Sequence, residues 1–510
     1  MKKTVKSFIL LLLSINLYAQ QGGWKNVLVC GAKADNESLN TEIIRGLIET
    51  TAAEGGGTIY FPAGNYLTGP IHLKSNITLY LEAGATLRFT DDFDAYLPMV
   101  PSRWEGTDVV NFSPLIYAYQ VENITIAGRG TLDGQGKKWW DYHHFLYAQP
   151  KDFKSKWQQL FAENNPDVLL PDEPDMITRG FCRPPFIQPM YCSNIRIEGI
   201  TIVNSPFWTV NPQFCENITL EGVTINNPKS PNTDGINPES CRYVHISNCH
   251  ISVGDDCITI KSGKDRSGRK MAAPCENITI TNCTMLRGHG GVVIGSEMSG
   301  DVKKVTITNC VFEGTDRGIR IKSTRGRGGV VEDIRVSNII MKDIREAAII
   351  LNMYYRQSEY EEVSERTPAF RNIHFSGITG NAKQAGLLLG LEELPVSNIS
   401  FTDIRIKGEI GFTVKDAQDI SFHNVQMNAT KGPALSIEKS KYVEVNAFSS
   451  NSPLKNTPVI QLDQVEQLSL INCYQPRETD IFIQKSKTCK DLFIRNNILP
   501  KVRKKILVTK

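Results

Sequence analysis

A loosely repeated phrase constrains the fold of this chain more than any other feature. A polar residue, often Asn or Asp, precedes alternating apolar residues, as in SNIRIEGITI from Ser193, ENITLEGVTI from Glu216 and KKVTITNCVF from Lys303. The first apolar residues of successive copies are Ile195, Ile218, Val244, Ile278, Val305, Ile334, Ile373, Ile399, Ile420, Val443, Leu468 and Leu492. Alternating β-branched residues indicate strands. Short strands at this spacing, with few helical segments, predict a solenoid.

The predicted fold is all-β, a right-handed parallel β-helix whose coils pair strand by strand about 4.8 Å apart. Residues 38–53 have a helical pattern that ends before Gly55-Gly56-Gly57, and they are predicted to cap the open end of the solenoid. Residues 135–190 interrupt the repeat and are interpreted as one long insertion beside the functional face. Residues 20–510 are predicted to form a single domain.

The N-terminus has the pattern of a secretory signal peptide. Three lysines precede an apolar run from Phe8 to Leu13, and cleavage is expected near Ala19. The run is too short to span a bilayer. Residues 1–19 are therefore predicted to direct export to the periplasm or the extracellular space. The net charge of +3 on 510 residues is nearly balanced, and we expect a monomer without nucleic-acid or membrane partners.

The twelve cysteines follow the repeat. Cys192, Cys215 and Cys241 each precede the first apolar residue of a copy by three positions, and Cys249 and Cys283 each follow one by five. Disulfides between neighbouring coils and stacked free thiols both fit this spacing. No Cys–His spacing suggests zinc, so no structural metal is predicted.

Four successive segments align on a shared serine: NTDGINPES, GDDCITIKS, GHGGVVIGS and TDRGIRIKS, which end at Ser240, Ser262, Ser296 and Ser323. This register places Asp234 in the same column as Asp256, one coil apart, and Asp255 in the same column as His289. Arg320 and Lys322 alternate by two and are expected to project to the same side. Three carboxylates, a histidine and two cations are therefore predicted to gather on one face.

Clustered carboxylates raise one another's pKa, so that one of them can keep a proton near neutral pH. Glycoside hydrolysis requires such a split between a protonated acid and an ionised partner. Taken singly, Asp234-Gly235 is a common turn signal, and Arg320 and Lys322 fit a solvated strand face. Calcium also uses clustered Asp, but the nonapeptide calcium repeat is absent and the neighbouring cations argue against a metal.

These segments resemble the four signatures of glycoside hydrolase family 28. The matching residues are Asn232-Thr233-Asp234, Gly254-Asp255-Asp256, Gly288-His289-Gly290 and Arg320-Ile321-Lys322, supported by NSPFWTVNP and GHGGVVIGSEMSG. The resemblance implies a right-handed β-helix that cleaves α-linked galacturonate in pectin with inversion and without a cofactor.

The resemblance also implies roles for the catalytic residues. Asp255 would be the general acid, Asp234 and Asp256 would position and deprotonate the water, and His289 would support the acid. Arg320 and Lys322 would bind the galacturonate carboxylate, Asn232 would line that subsite, and Tyr355 or its neighbour Tyr354 would contact the sugar.

The substrate and the mode of attack stay open at this point. The phrase Ser296-Glu297-Met298-Ser299-Gly300 resembles a bacterial and plant branch in which exo-acting members are frequent, and the 135–190 insertion could close one end of the cleft. An exo-acting galacturonidase is therefore predicted. The alternatives are a rhamnogalacturonan-directed hydrolase of the same family, a calcium-dependent pectate lyase on a similar β-helix, and a non-catalytic carbohydrate-binding solenoid.

Overall fold

Parallel pairing between successive coils runs the length of the chain in the computed structural model, which describes residues 23–150, 153–168 and 181–509. Ile195 pairs with Ile218, Ile218 with Val244, and so on to Ile373 with Ile399. The series resumes at Ile420 and ends at Leu492. The predicted right-handed parallel β-helix is confirmed. The signal peptide predicted for residues 1–19 lies outside the described residues.

The elements fall into one long parallel sheet and two small ones. The strands, in chain order, are β1 (Trp24–Asn26), β2 (Asp35–Leu39), β3 (Gly57–Phe61), β4 (Gly64–Thr68), β5 (Ile71–His72), β6 (Ile77–Leu81), β7 (Ala85–Phe89), β8 (Val100–Trp104), β9 (Thr107–Asn111), β10 (Ile116–Tyr119), β11 (Glu122–Gly128), β12 (Thr131–Asp133), β13 (Ile187–Met190), β14 (Ser193–Glu198), β15 (Thr201–Val203), β16 (Glu216–Glu221), β17 (Thr224–Asn226), β18 (Arg242–Ser247), β19 (His250–Ser252), β20 (Asp256–Ile260), β21 (Cys275–Thr281), β22 (Thr284–Arg287), β23 (Gly290–Ile294), β24 (Val302–Glu313), β25 (Ile319–Lys322), β26 (Val330–Asn352), β27 (Ala369–Leu389), β28 (Val396–His423), β29 (Gln426–Asn446), β30 (Pro458–Ile471), β31 (Thr479–Ser486), β32 (Lys490–Arg495) and β33 (Val502–Thr509). The helices are α1 (Thr41–Ala53), α2 (Lys137–Ala148), α3 (Lys156–Asn164) and α4 (Asp265–Met271), and a 3₁₀ turn covers Phe93–Tyr96. The strands β5, β10 and β13 form a separate parallel sheet, and β8 and β9 form an antiparallel hairpin.

The polar residue that opens each repeated phrase is a turn residue in the left-handed region. Asn123, Asn194 and Asn217 have φ of 56°, 56° and 57°, a conformation that Asn tolerates better than most residues. Their side chains also bond along the stack, because Asn194 Nδ2 donates to Asn123 Oδ1 at 3.0 Å and Asn217 Nδ2 donates to Asn194 Oδ1 at 3.2 Å. The repeated phrase in the sequence thus marks the same turn in successive coils.

Inward-facing residues of neighbouring coils stack into one continuous apolar core. The alternation of buried and exposed positions in β14, β16 and β18 follows the period of two read from the sequence. Phe375, Phe401 and Phe422 stack in three successive coils, with ring centroids 5.2 Å and 4.9 Å apart.

The N-terminal end of the core is covered by α1, which buries Ile44, Ile48 and Thr51. The helix begins at Thr41, three residues later than the sequence predicted. The reason is β2, which pairs with β4 and takes Ser38 and Leu39 into the sheet.

The face that carries the predicted site continues the small sheet of β5, β10 and β13. Single bridges link Ile187 to Val210, Val210 to Ile236 and Ile236 to Ile258. Pro189, Pro212 and Pro238 stand in this face, and a proline cannot donate to a ladder. Pairing is therefore reduced to bridges in these coils and is regular again from β20 onward.

The residues of the predicted 135–190 insertion contain α2 and α3, whereas residues 187–190 are already β13 of the solenoid. The Trp139 side chain is fully buried among Phe93, Tyr96, Phe112 and Phe181. No helix among the described residues is both long enough and apolar enough to cross a bilayer.

All twelve cysteines are free thiols, which decides between the two interpretations of their spacing. They stack instead of crosslinking: the Cys192 backbone N–H donates to Cys215 Sγ at 3.3 Å, and the Cys241 N–H donates to Cys275 Sγ at 3.4 Å. Cys30 is the single exposed one.

The thiols can be counted directly. In buffer without reductant we expect one rapidly reacting thiol, Cys30, because the other eleven are shielded from reagent. In denaturant all twelve should react, as measured with a chromogenic disulfide reagent. A Cys30→Ser variant serves as the control and should lose the fast phase. Fewer than twelve thiols in denaturant, restored by prior reduction, would show disulfides instead.

Candidate functional site

The predicted site residues come from consecutive coils of one face. Gly235 N–H donates to the carbonyl oxygen of Asp256 at 3.0 Å, and His289 N–H donates to that of Asp255 at 2.8 Å. Asp256 itself pairs with Gly290 in the next coil. The backbone register therefore stacks Asp234 against Asp256 and places His289 directly beyond Asp255, as the aligned serines predicted.

The three carboxylates converge. One oxygen from each of Asp234, Asp255 and Asp256 lies within 4.8 Å of the other two. Asp234 and Asp256 are 3% and 1% exposed, whereas the Asp255 side chain is 22% exposed. Asp255 is thus the member of the group that a large ligand can reach most directly.

Cations hold Asp256 in its ionised form. Lys322 Nζ lies 2.9 Å from Asp256 Oδ2, and both side chains are buried. Burial favours the neutral carboxyl, but Lys322 and Arg320 outweigh it and lower the pKa of Asp256 below its usual value. Oδ1 of Asp256 has no hydrogen-bond partner among the described residues, which leaves one lone-pair face available to a ligand or a water.

The pKa of Asp234 is shifted in the opposite direction, upward. Burial raises the pKa of Asp234 well above its usual value, and the neighbouring charge of Asp255 raises it further. Thr259 Oγ1 donates a long hydrogen bond of 3.4 Å to Asp234 Oδ2. The surroundings of Asp234 thus favour its protonated form, whereas the cations around Asp256 favour the ionised form. A proton donor and an ionised acceptor therefore stand side by side.

His289 lies at the outer edge of the group, with Nδ1 3.0 Å from Asp255 Oδ1 and its side chain 48% exposed. The hydrogen bond to Asp255 raises the pKa of His289 above its usual value and outweighs partial burial. The protonation of a histidine held in this way depends chiefly on its hydrogen bond to Asp255.

Arg320 and Lys322 share one aromatic neighbour. The Tyr355 ring centroid lies 5.6 Å from the Arg320 guanidinium carbon and 5.3 Å from Lys322 Nζ. Tyr354 instead faces Arg325, at 5.2 Å. Of the two tyrosines that the sequence left open, Tyr355 is therefore the one beside the predicted cations. Arg320 has no ion pair or hydrogen bond with another described side chain, so its guanidinium is available to an anion.

Asn232 is held by a residue that the sequence did not single out. Arg183 is 1% exposed, and its Nη2 donates to Asn232 Oδ1 at 2.7 Å. Its Nη1 donates to the carbonyl oxygens of Pro206 at 2.9 Å and Pro231 at 2.7 Å. Burial lowers the pKa of Arg183 to about 10. The end of the insertion thereby fixes the loop that leads into Asp234.

A second buried ion pair was also missed. Lys261 Nζ lies 2.7 Å from Glu297 Oε2 and 4.6 Å from the Trp208 ring centroid. Although burial favours the neutral acid, Lys261 and Arg327 hold the pKa of Glu297 far below its usual range. Lys261 stands in the same column as Lys322, and this alignment was the available signal. The partner Glu297 could not be read from the alignment.

The carboxylate group has the oxygen ligands that a hard cation prefers. Two features fit a metal poorly, however. Lys322 already occupies one oxygen of Asp256, and His289 occupies one oxygen of Asp255. Ligand oxygens that are shared with an ammonium and an imidazole suit proton transfer and anion binding better than metal coordination.

Residues 178–426 match the family described as Glycosyl hydrolases family 28, and residues 24–149 match one described as Rhamnogalacturonase A/epimerase, pectate lyase-like. A probable polygalacturonase of Vitis vinifera is 31% identical over 77% of this chain and 77% of its own length.

Two solved structures share the architecture. An exopolygalacturonase from Thermotoga maritima is 34% identical, with a TM-score of 0.71 over 79% of this chain and 91% of its own. A polygalacturonase from Erwinia carotovora is 26% identical, with a TM-score of 0.59 over 77% of this chain and 96% of its own.

The Lys261–Glu297 pair makes a testable contribution to stability. Lys261→Met leaves Glu297 buried without its nearest partner and should cost about 3 kcal/mol of unfolding free energy at neutral pH. Equilibrium denaturation measures this loss. Because the pKa of Glu297 rises once Lys261 is gone, the deficit should shrink as the pH falls and Glu297 takes up a proton.

The matched control is Lys303→Met, since Lys303 lies 2.9 Å from Asp301 in a pair that is about one-third exposed. Its loss should be below about 1 kcal/mol. Equal losses in the two variants, or a Lys261→Met deficit that does not change with pH, would contradict the assignment.

Proposed function

Since the chain belongs to glycosyl hydrolase family 28, and is therefore a glycoside hydrolase, we propose that it is an exo-acting, inverting galacturonidase of pectic polysaccharides and oligosaccharides. The observation that carries the proposal is the carboxylate group itself. Its members have pKa values pushed apart, Asp234 upward and Asp256 downward, beside cations suited to a uronate. The polygalacturonase names of the similar proteins support the same substrate.

The proposed reaction begins with proton transfer from Asp255. This residue, the most exposed of the three, delivers a proton to the glycosidic oxygen as the bond from that oxygen to the anomeric carbon breaks. Water held by Asp256 attacks the anomeric carbon, and its proton passes to Asp256. Asp255 then regains a proton from solvent through the exposed edge where His289 lies, and Asp256 loses its own.

The cations are proposed to select a uronate. Arg320 has no ion-pair partner among the described residues and can bind a carboxylate with two parallel hydrogen bonds. Lys322 lies between Asp256 and the Tyr355 ring, so it can contact the same carboxylate while it keeps Asp256 ionised. Asn232, whose Oδ1 is held by Arg183, precedes Asp234 by two residues.

The exo mode is proposed from the hairpin of β8 and β9. The two-residue turn Glu105-Gly106 has φ of 45° and 79°, as a tight hairpin requires. Its tip touches the chain just after β20, since a Cβ on Gly106 would lie 2.8 Å from Lys264 N. The hairpin thus extends from the coil of Gln188 to the coil that carries Asp256, and it is proposed to close the cleft on the N-terminal side.

Buried polar contacts anchor this wall. Arg103 is fully buried, with Nε 2.9 Å from Glu239 Oε1. Its Nη2 donates to the Gly106 carbonyl oxygen at 3.0 Å, and Ser102 Oγ donates to Gln188 Oε1 at 2.7 Å. A hairpin fixed by a fully desolvated ion pair can resist displacement by a polymer.

Aromatic rings extend the wall to the site. Trp104 stacks on Phe207 at 5.2 Å, and Phe207 stacks on Trp208 at 5.0 Å. Phe161 and Cys182 from the predicted insertion pack into the same cluster. Glu105 at the tip is surrounded by Lys264, Glu297, Lys261 and Arg183, and burial raises its pKa to about 7. A polyanionic chain would meet this acid where the cleft ends.

The proposal of inversion rests on the family and not on the separation of the carboxylates. Their nearest oxygens lie within 4.8 Å, shorter than the roughly 6.5–9.5 Å between carboxyl groups in many inverting enzymes. The proposal assigns the attacking water to the two buried carboxylates, Asp234 and Asp256.

One alternative has a specific observation behind it. The match of residues 24–149 to a family described as Rhamnogalacturonase A/epimerase, pectate lyase-like favours a rhamnogalacturonan-directed hydrolase as the second candidate. The same catalytic group would serve, and only the sugar next to the cleaved galacturonate would differ. Mass spectrometry of products from defined pectic oligosaccharides separates the two.

Export is part of the proposal. The basic and apolar N-terminal pattern that ends near Ala19 supports secretion to the periplasm or beyond, where pectic polymers are met. Action as a monomer without a cofactor is proposed with it.

Asp255→Asn tests the acid. The substitution keeps the shape and removes the transferable proton, so turnover of oligogalacturonate should fall by about two to four orders of magnitude with an unchanged thermal midpoint. Asp463→Asn, on a strand of a later coil, is the control and should keep full activity. Near-normal turnover by a folded Asp255→Asn protein would refute the role. Proton NMR of the first product should show the inverted anomer, and a retained anomer would refute inversion.

Viscometry tests the exo mode. The unaltered enzyme should release galacturonate monomers while polymer viscosity falls slowly, because attack from chain ends shortens chains little. Replacing residues 102–109 by two glycines, with Glu239→Gln to avoid an unpaired buried acid, should release larger products and speed the fall in viscosity. Asp108→Asn, at the exposed rim of the same hairpin, is the control. A rapid early fall with the unaltered enzyme contradicts exo attack.

A further inference from the structure

The last coil of the solenoid is strongly basic. Residues 485–510 contain nine Lys and Arg residues and one acid, Asp491, although the whole chain carries a net charge of only +3. The rest of the protein is therefore net negative. The cations are spread over 26 positions of sequence and form a cluster only when the coil folds.

These cations face solvent and are mostly unpaired. The exposed members, which we call the basic end, are Lys487, Lys490, Arg495, Lys501, Arg503, Lys504 and Lys505. Among the described residues, only Arg503 of this set makes an ion pair, with Asp480 at 3.3 Å. An exposed group of like charges with few counter-charges costs folding energy and favours an anionic ligand.

The basic end lies on the same line as the catalytic group. Nine pairings lead from Ile258 to Ile506 along one face, a distance of roughly 43 Å at about 4.8 Å per coil. Ile506 occupies the position of Ile258 in its coil. Arg503 and Lys504 precede Ile506 by three and two residues, as Asp255 and Asp256 precede Ile258.

A cavity of about 600 Å³ adjoins the basic end. Lys455, Lys501 and Arg503 line it together with Glu478 and Asp480. Cations and acids that alternate around a cavity can bind the carboxylates and the hydroxyls of an acidic sugar. This feature separates the region from a plain charged surface.

The protection of an open edge accounts for only part of the pattern. Among the described strands, β33 pairs with β31 alone, and lysines on such an edge strand discourage pairing with another chain. That purpose needs charge on β33, which explains Lys504 and Lys505. Lys455, Lys487 and Lys501 lie outside the strand and need another explanation.

The direction in which the cleft is open indicates which ligand binds the basic end. In the proposed exo mode the hairpin closes the N-terminal side of the carboxylates, so a polymer whose terminal sugar lies there leaves toward Tyr355 and the later coils. The basic end lies further along that path. Galacturonan is a polyanion, and its charge complements this end of the molecule.

We infer that the basic end is a second, non-catalytic binding surface for the galacturonan chain, about 43 Å from the catalytic group at about 4.8 Å per coil. The inference rests on the proposed function for the identity of the polymer. It makes a specific distinction, because a long chain can contact both places at once whereas a trisaccharide cannot reach across.

Binding is tested with the full chain carrying Asp255→Asn, so that the polymer is not cut. Adding Lys501→Gln, Lys504→Gln and Lys505→Gln should weaken binding to polygalacturonate about tenfold at low salt and reduce its salt dependence. Affinity electrophoresis measures both. The matched control replaces Lys383, Arg405 and Lys407 by Gln, three exposed cations of earlier coils, and should leave binding unchanged.

Kinetics of the active enzyme separate this inference from the proposed function. The triple Gln variant of the basic end should keep kcat/KM for trigalacturonate and lose several-fold on the polymer. Absence of galacturonan hydrolysis by the unaltered enzyme would defeat the proposed function, whereas the electrophoresis would still report on the surface.

Several results would overturn the inference. One is equal weakening in the control, which would show a general charge effect. Another is tighter binding of the Asp255→Asn protein to duplex DNA or to anionic vesicles than to polygalacturonate. A third is aggregation of the Gln variant with unchanged polygalacturonate binding, which would leave edge protection as the sole role.

Discussion

Backbone pairing between adjacent coils is the constraint on which the site depends. Asp234, Asp256, His289 and Lys322 come from four different turns of the solenoid, and no loop brings them together. The hydrogen bonds from Gly235 and His289 to the carbonyl oxygens of Asp256 and Asp255 set their relative heights. Because a coil rises only about 4.8 Å, charged groups in neighbouring coils must interact. The rise of the coils therefore determines which charged groups interact.

That interaction would be unfavourable without the cations that accompany it. Two carboxylates with 3% or less exposure would both be protonated in an apolar core. Lys322 keeps one ionised, and Asp234 is left as the neutral partner. Lys261, which Glu297 keeps charged despite its burial, also lowers the pKa of both acids. The site is therefore one buried network, in which Lys261 and Lys322 each act on Asp234 and on Asp256.

The sequence predicted which residues occupy the same position in successive coils. It did not predict contacts between a residue of the repeat and a residue outside it. The columns of Asp234 with Asp256 and of Asp255 with His289 followed from a shared serine, because strand position repeats with the coil. The contacts of Arg103 with Glu239 and of Arg183 with Asn232 did not, because each joins a residue outside the repeat to one within it.

Local interactions explain the smaller differences between the predicted and the observed structure. The pattern over residues 38–53 is helical, but pairing of β2 with β4 took its first residues into the sheet. Tyr354 and Tyr355 are adjacent and chemically identical, so only the placement of Arg325 beside Tyr354 separates them. The stacking of the cysteines fitted both thiols and disulfides until the side-chain directions were known.

Pairing restricted to neighbours has a further consequence for how such a protein can change over evolutionary time. Among the described residues, the strands beyond β26 pair only with those of the coil before and the coil after them. One coil could be duplicated or deleted there without moving Asp255 relative to Lys322, and only the span to the last coil would alter. Selection can therefore change the length of the molecule in steps of one coil without changing the geometry of the catalytic group.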